Sequence, residues 1–183
     1  MKSNNFNIFP TEITTFEFNK EEIQPLLDEI SKSKEKIKET SKYYSNQGGV
    51  GEYYTDFGGN PIKLYEYEKL MMMVGNYFVN RKKSFKVTNY WSALYYDNAI
   101  HEPHNHVNFL KQNTCNYSSV LSLTNKGGTK FFSSSPTSLD YHAVVNSQVG
   151  KLIFFPSNLL HSGVNNTNGE RIIISSNLTI YDI

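Results

Sequence analysis

The chain has 183 residues, 38% of them hydrophobic and 19% charged, a length and balance that suit one globular domain with a real core and exclude a disordered segment. Eighteen Lys and Arg against seventeen Asp and Glu leave a formal charge of +1, so no global field draws the chain onto nucleic acid or an anionic membrane. The one cysteine, Cys115, excludes an internal disulfide, a CxxC redox pair and a cysteine-based zinc site, which leaves any metal to His, Asp or Glu.

The first residues, Met1-Lys2-Ser3-Asn4-Asn5, lead into no apolar export segment, and the longest apolar runs are as short as 71–74 and 152–155; the expectation is a soluble, cytoplasmic protein. Thirteen Tyr and twelve Phe, with Asn and Ser crowding the turns, favour strands joined by tight loops. Two helices precede them. The first is expected over 19–36, where Asn19 and Glu22 form a capping-box pair and Ile23, Leu26, Leu27 and Ile30 share a face, with Pro25 blurring its start. The second is expected over 62–80, with Leu64, Tyr67, Met71, Val74 and Phe78 at helical spacing and the Met cluster read as core packing. Between them 45–60, with five glycines, reads as loop. The charged stretches 31–40 and 81–86 read as solvated surface.

From Phe85 the period changes to two. Strands are expected over 85–95, 104–109, 118–123, 129–132, 141–145, 151–155, 161–164 and 171–180, separated by turn clusters such as 125–128 and 165–169. Eight short antiparallel strands behind two helices predict a mostly β chain folded as a double-stranded β-helix, or jelly roll, whose two sheets enclose a ligand-sized mouth. The whole chain, 1–183, reads as a single domain, helical over about 1–84 with its core barrel over about 85–183.

Three of the five histidines, His101, His104 and His106, fall within six positions, and residues two apart on a strand point to one side. His104 and His106 are therefore candidates to hold one cation, with His161, just after a buried strand turns, as the third ligand. Three nitrogens leave coordination positions open, as catalytic sites do. Asp97 or Glu102 stands as an alternative to His106, and His101 and His142 read as outer or surface groups. Trp91, Tyr95 and Tyr117 line the mouth or pack the core, with the core favoured. Cys115, alone in an Asn-rich loop, reads as inert.

The surroundings of these histidines resemble the cupin signatures. Gly150 to Pro156, Asn158, His161 and Asn165 follow the second signature with Asn158 for Gly, and Asn98 followed by His104 and His106 approaches the first, again with Asn for Gly. Asn tolerates the left-handed backbone best among non-glycine residues, so both turns survive the exchange. The glutamate cupins place after HxH is replaced by the run Phe109, Leu110, Lys111. A resemblance over nearly the whole chain is carried by Phe9-Pro10-Thr11, Ser45-Asn46-Gln47-Gly48-Gly49, Asn89-Tyr90-Trp91, Pro103-His104-Asn105-His106, Phe155-Pro156-Ser157 with His161, Glu170-Arg171, Ser175 and Asn177. In these the chain is similar to the small iron(II)/2-oxoglutarate oxygenases of bacteriophages and marine bacteria.

That resemblance implies Fe(II) on His104, His106 and His161, and 2-oxoglutarate on Arg171, with Ser175 as a helper since Ile173 stands where related enzymes carry Ser. The run Ser118-Ser119-Val120-Leu121-Ser122-Leu123 lacks the family's tyrosine in this place. The activity implied is a dioxygenase that consumes O2 and couples 2-oxoglutarate decarboxylation to C–H hydroxylation of a protein side chain, a nucleotide or a small metabolite. The alternatives are a cupin-like metalloenzyme without 2-oxoglutarate and a non-catalytic jelly-roll binding module. Abundant Asn, Lys, Ile and Tyr fit an AT-rich genome and, with the resemblance, a phage protein of the host cytosol.

Overall fold

A computed structural model describes residues 11–41, 49–57, 61–106, 115–132, 142–165 and 168–183. The chain opens with β1 (Thr14–Glu17) and α1 (Lys20–Ser41). The capping box forms as the sequence predicts: Glu22 N donates to Asn19 Oδ1 at 2.9 Å and Asn19 N to Glu22 Oε2 at 2.8 Å. The helix runs through Pro25 and five residues beyond its expected end, because Ile37 and Ser41 continue the buried stripe begun by Ile23, Leu26 and Ile30.

The glycine-rich stretch is not all loop. It holds β2 (Gly49–Val50) and β3 (Tyr53–Thr55), while 45–48 and 58–60 lie outside the described residues. α2 (Tyr65–Val79) begins three residues later than expected. Its first free amides are met by a carboxylate from α1: Glu29 accepts from Tyr65 N at 2.9 Å and Glu66 N at 3.0 Å, and the preceding Leu64 is extended. Met71 packs in the core as expected, but Met72 and Met73 are exposed.

The remaining strands are β4 (Lys83–Tyr95), β5 (Ile100–His101), β6 (Tyr117–Ser122), β7 (Gly128–Phe132), β8 (His142–Asn146), β9 (Lys151–Pro156), β10 (His161–Val164) and β11 (Arg171–Asp182). They form two antiparallel sheets, one in the order β1-β9-β6-β11-β4-β3 and the other β2-β5-β10-β7-β8. The fold is mostly β with two helices, the double-stranded β-helix that the strand spacing predicts, enlarged by the three early strands.

Alternation on β11 separates two cores. Ile172, Ile174 and Leu178 join the helices' buried faces on one side of the large sheet, while Ile173 joins Tyr53, Ala93, Tyr95, Phe131 and Phe155 between the sheets. Arg171 and Ser175 share the parity of Ile173, so both belong to the space between the sheets. No helix among the described residues is long and apolar enough to cross a membrane.

Candidate active site

Backbone pairing brings the three candidate ligands together. His104 and His161 exchange both main-chain hydrogen bonds, each at 2.9 Å, and His106 N donates to Ser157 O at 2.9 Å. The expected strand at 104–109 reduces to this single bridge, with 107–109 outside the described residues. Ring centroids lie 4.4 Å apart for His104 and His161, 4.9 Å for His106 and His161, and 5.1 Å for His104 and His106. One ring nitrogen from each falls within 4.8 Å of the others, as a shared cation requires.

The tautomers are set from behind. His104 Nδ1 lies 2.7 Å from Glu102 O and His161 Nδ1 lies 2.9 Å from Leu159 O. A carbonyl only accepts, so both Nδ1 atoms carry the proton and both Nε2 lone pairs are free to ligate. His106 Nδ1 meets Asn177 Oδ1 at 2.7 Å and Ser118 Oγ at 2.8 Å. Burial first, then mutual repulsion, lowers His106 to about 4 and His161 to about 3; burial lowers His104 as well. At neutral pH all three are uncharged imidazoles, the form that binds a metal.

Arg171 occupies the same interior. Its side chain is 0% exposed, the largest fully buried one among the described residues. Nε donates to Ser147 Oγ at 3.1 Å and Nη2 to Thr129 Oγ1 at 3.4 Å, while Nη1 has no acceptor. The guanidinium stands over the Tyr95 ring at 4.9 Å. Burial lowers its pKa, yet a guanidinium stays charged, and no carboxylate among the described residues pairs with it. A buried cation with one orphaned N–H and no counter-ion is a built place for an anion.

Ser175 lines the small cavity between these groups, beside Ile173, Trp91, Tyr95, Val120 and the histidines. The cavity measures about 30 Å3, room for one or two waters, so a five-carbon dicarboxylate requires lining side chains to turn aside. A wider groove of about 650 Å3 lies between α2 and β4 and holds no histidine.

The alternative oxygen ligands lie elsewhere. Asp97 accepts from Gly169 N and so closes the β10–β11 turn, while Glu102 contributes its backbone carbonyl and leaves its side chain exposed. Asn98 takes the left-handed conformation, φ 56°, as its substitution for Gly predicts; Asn158 does not, so that turn needs no glycine. Trp91 and Tyr95 are buried and line the cavity as well. Cys115 is buried against Ser157 and the His106 carbonyl; the side chain of His142 lies outside the described residues.

One contributor, Tyr53, escapes sequence reasoning, and two that the sequence named without a definite role, His101 and Asn177, gain one. Tyr53 reaches the site because β3 pairs with β4, placing it opposite Tyr95. Burial raises the pKa of both tyrosines, so their hydroxyls stay protonated. His101 lies against the ligand set, 4.3 Å from His104 and stacked on Tyr53 at 5.1 Å. Asn177 holds His106; its two-residue spacing from Ser175 was the available signal.

The fold agrees with those of known structures. The chain matches a Pseudomonas putida prolyl-4-hydroxylase at a TM-score of 0.64 and 13% identity, covering 92% of each chain. It matches a viral collagen prolyl hydroxylase of Paramecium Bursaria Chlorella virus-1, solved with 2-oxoglutarate, at 0.60 and 15%, over 91% of this chain and 94% of that one. HygX of Streptomyces hygroscopicus, with nickel and 2-oxoglutarate bound, follows at 0.62 and 10%, over 92% and 83%. The chain has the double-stranded β-helix fold of the iron(II)/2-oxoglutarate oxygenases. At these identities the likeness is one of fold. The sequence matches no known family profile and no curated protein.

Proposed function

We propose that the protein is an Fe(II)/2-oxoglutarate-dependent dioxygenase, a hydroxylase, read as one domain over 1–183. The observation that carries this is the convergence, in one interior of this fold, of three neutral imidazoles and a buried guanidinium lacking a counter-ion. In this reading His104, His106 and His161 hold the metal through Nε2. Arg171 takes the far carboxylate of the cosubstrate through Nη1, with Tyr95 and Thr129 flanking it and Ser175 offering a hydroxyl nearer the histidines. The bound iron and cosubstrate supply oxidising power from O2, at the expense of 2-oxoglutarate decarboxylation.

The chain's own work is positional. Carbonyls behind His104 and His161 keep lone pairs inward, and Phe131, Phe155 and Trp91 exclude water from a site where a strong oxidant is handled. Ile173 makes the Arg171 end more apolar than a Ser would, which leaves Tyr95, Thr129 and Ser147 as the hydroxyls beside the guanidinium. The Asn-, Lys-, Ile- and Tyr-rich composition fits an AT-rich genome and, taken with the family resemblance, supports a phage source and action in the host cytosol.

Anaerobic addition of Fe(II) and then 2-oxoglutarate to the metal-free protein tests this. A saturable visible charge-transfer band is expected, lost in His161→Ala and weakened in Arg171→Ala. Iron uptake without a band would instead mark a cupin-like metalloenzyme that does not use 2-oxoglutarate, and no uptake would leave a binding module.

A further inference from the structure

On the metal and cosubstrate reading above, charge inside the cavity does not close. A divalent cation on three uncharged imidazoles, with a buried guanidinium nearby, carries three positive charges, and the 2-oxoglutarate dianion cancels two. Among the described residues no side chain supplies the third. No Asp or Glu side chain among the described residues lines the cavity. Glu102, the acid nearest in sequence, leaves its side chain exposed, and others close by are committed elsewhere: Asp97 to Gly169 N, Glu170 to Lys34 and Tyr96, and Asp56 to Ser92 N and Ile62 N. The residues outside the described set include one acid, Asp140.

Nor does negative charge stand behind the histidines. Their outward nitrogens meet two carbonyls, an amide and a hydroxyl, all neutral, where a carboxylate partner would share its charge with the metal. Protonated Tyr53 and Tyr95 leave the guanidinium uncompensated as well. A net charge held in a buried, aromatic-walled space is costly unless paired.

We propose that this site takes a second anionic ligand alongside 2-oxoglutarate: a single negative charge, carried by the substrate's own carboxylate or by a free small anion. His106 is the position that creates the demand, because an aspartate there would supply the missing charge from the protein. A substrate bearing an acidic group next to the C–H bond to be oxidised fits such a site better than its neutral amide or ester.

The test uses the full chain loaded with Ni(II) and saturated with 2-oxoglutarate, which reports binding without turnover. Formate, formamide and chloride are titrated in by calorimetry and followed in the visible spectrum. Formate is expected to bind saturably and formamide not at all, with formate weakened about tenfold or more in His106→Asp. Chloride binding as tightly as formate assigns the charge to a free anion; formate binding alone assigns it to a substrate carboxylate. Uptake of nickel and 2-oxoglutarate with no anion binding, or equal anion binding in His106→Asp, overturns this inference and leaves the oxygenase reading standing. Failure to take up nickel overturns both. If His106→Asp does not fold, the contrast between formate and formamide in the unmodified protein decides.

Discussion

Asn177 determines how His106 presents itself. Its amide oxygen, 2.7 Å from Nδ1, orients the ring, and outer partners of this kind are worth about 10–100-fold in metal affinity. Asn177→Ala is therefore expected to weaken Ni(II) binding by roughly that factor, with circular dichroism unchanged; an unaltered titration would remove Asn177 from the site. The imidazoles also set an acid limit on the metal-free fold. His101 and His106 fall to about 4 and His161 to about 3 on burial, below the ordinary value near 6.5 of an unfolded chain. The unfolded chain thus binds more protons below that value, so stability is fully present above about pH 6.5 and is lost as pH falls toward about 4. Urea midpoints measured between pH 7.5 and 4.5 are expected to fall along that window, and less steeply in His161→Phe. At this scale the sequence spoke through the two-residue spacing of His104 and His106, while Arg171 came from the family resemblance. It was silent on Tyr53, whose role arises from pairing between distant segments, and read His101 only as an outer or surface group.

The β10–β11 connection crosses from the small sheet to the large one and joins the two halves of the site, with His161 at the start of β10 and Arg171 at the start of β11. Gly163 lies between them. A methyl there would run into the Tyr95 hydroxyl and approach Arg171 Nη1 to 3.1 Å. Gly163→Ala is expected to lower 2-oxoglutarate affinity about tenfold or more by displacing that pair, since such overpacking costs about 1–3 kcal/mol, while Ni(II) uptake is retained; calorimetry with each ligand separates the two effects. Helix α1 and most of the later strands were legible because capping and periodicity are local signals, but β5 was missed and the strand expected over 104–109 is a single bridge. The start of α2 was not legible, since Glu29 on another helix caps it. β1, β2 and β3 are short, and β3 gains its pairing only from β4 across intervening chain. The exposed Met72 and Met73 show that a run of apolar residues in a helix cannot all face inward.

Across the whole molecule, the large sheet carries β11 with Arg171 and Ser175, and the small sheet carries β10 with His161. A ligand that spans both is expected to stabilise the folded chain by mass action. Ni(II) at about 100 times its dissociation constant adds about 2.7 kcal/mol, a rise in Tm of about 5 °C or more for a chain of this length, reversed by a chelator and absent in His161→Ala. The mutual bridge between His104 and His161 gives this a local form. Residues 104–106 are moored to β10 and the bend before it by a few main-chain hydrogen bonds. A cation shared by the side chains of those same residues works as a removable staple, closing a long loop much as a disulfide would in a chain whose lone cysteine cannot form one. Limited proteolysis is then expected to cut near this segment in the stripped protein and to spare it once metal is restored.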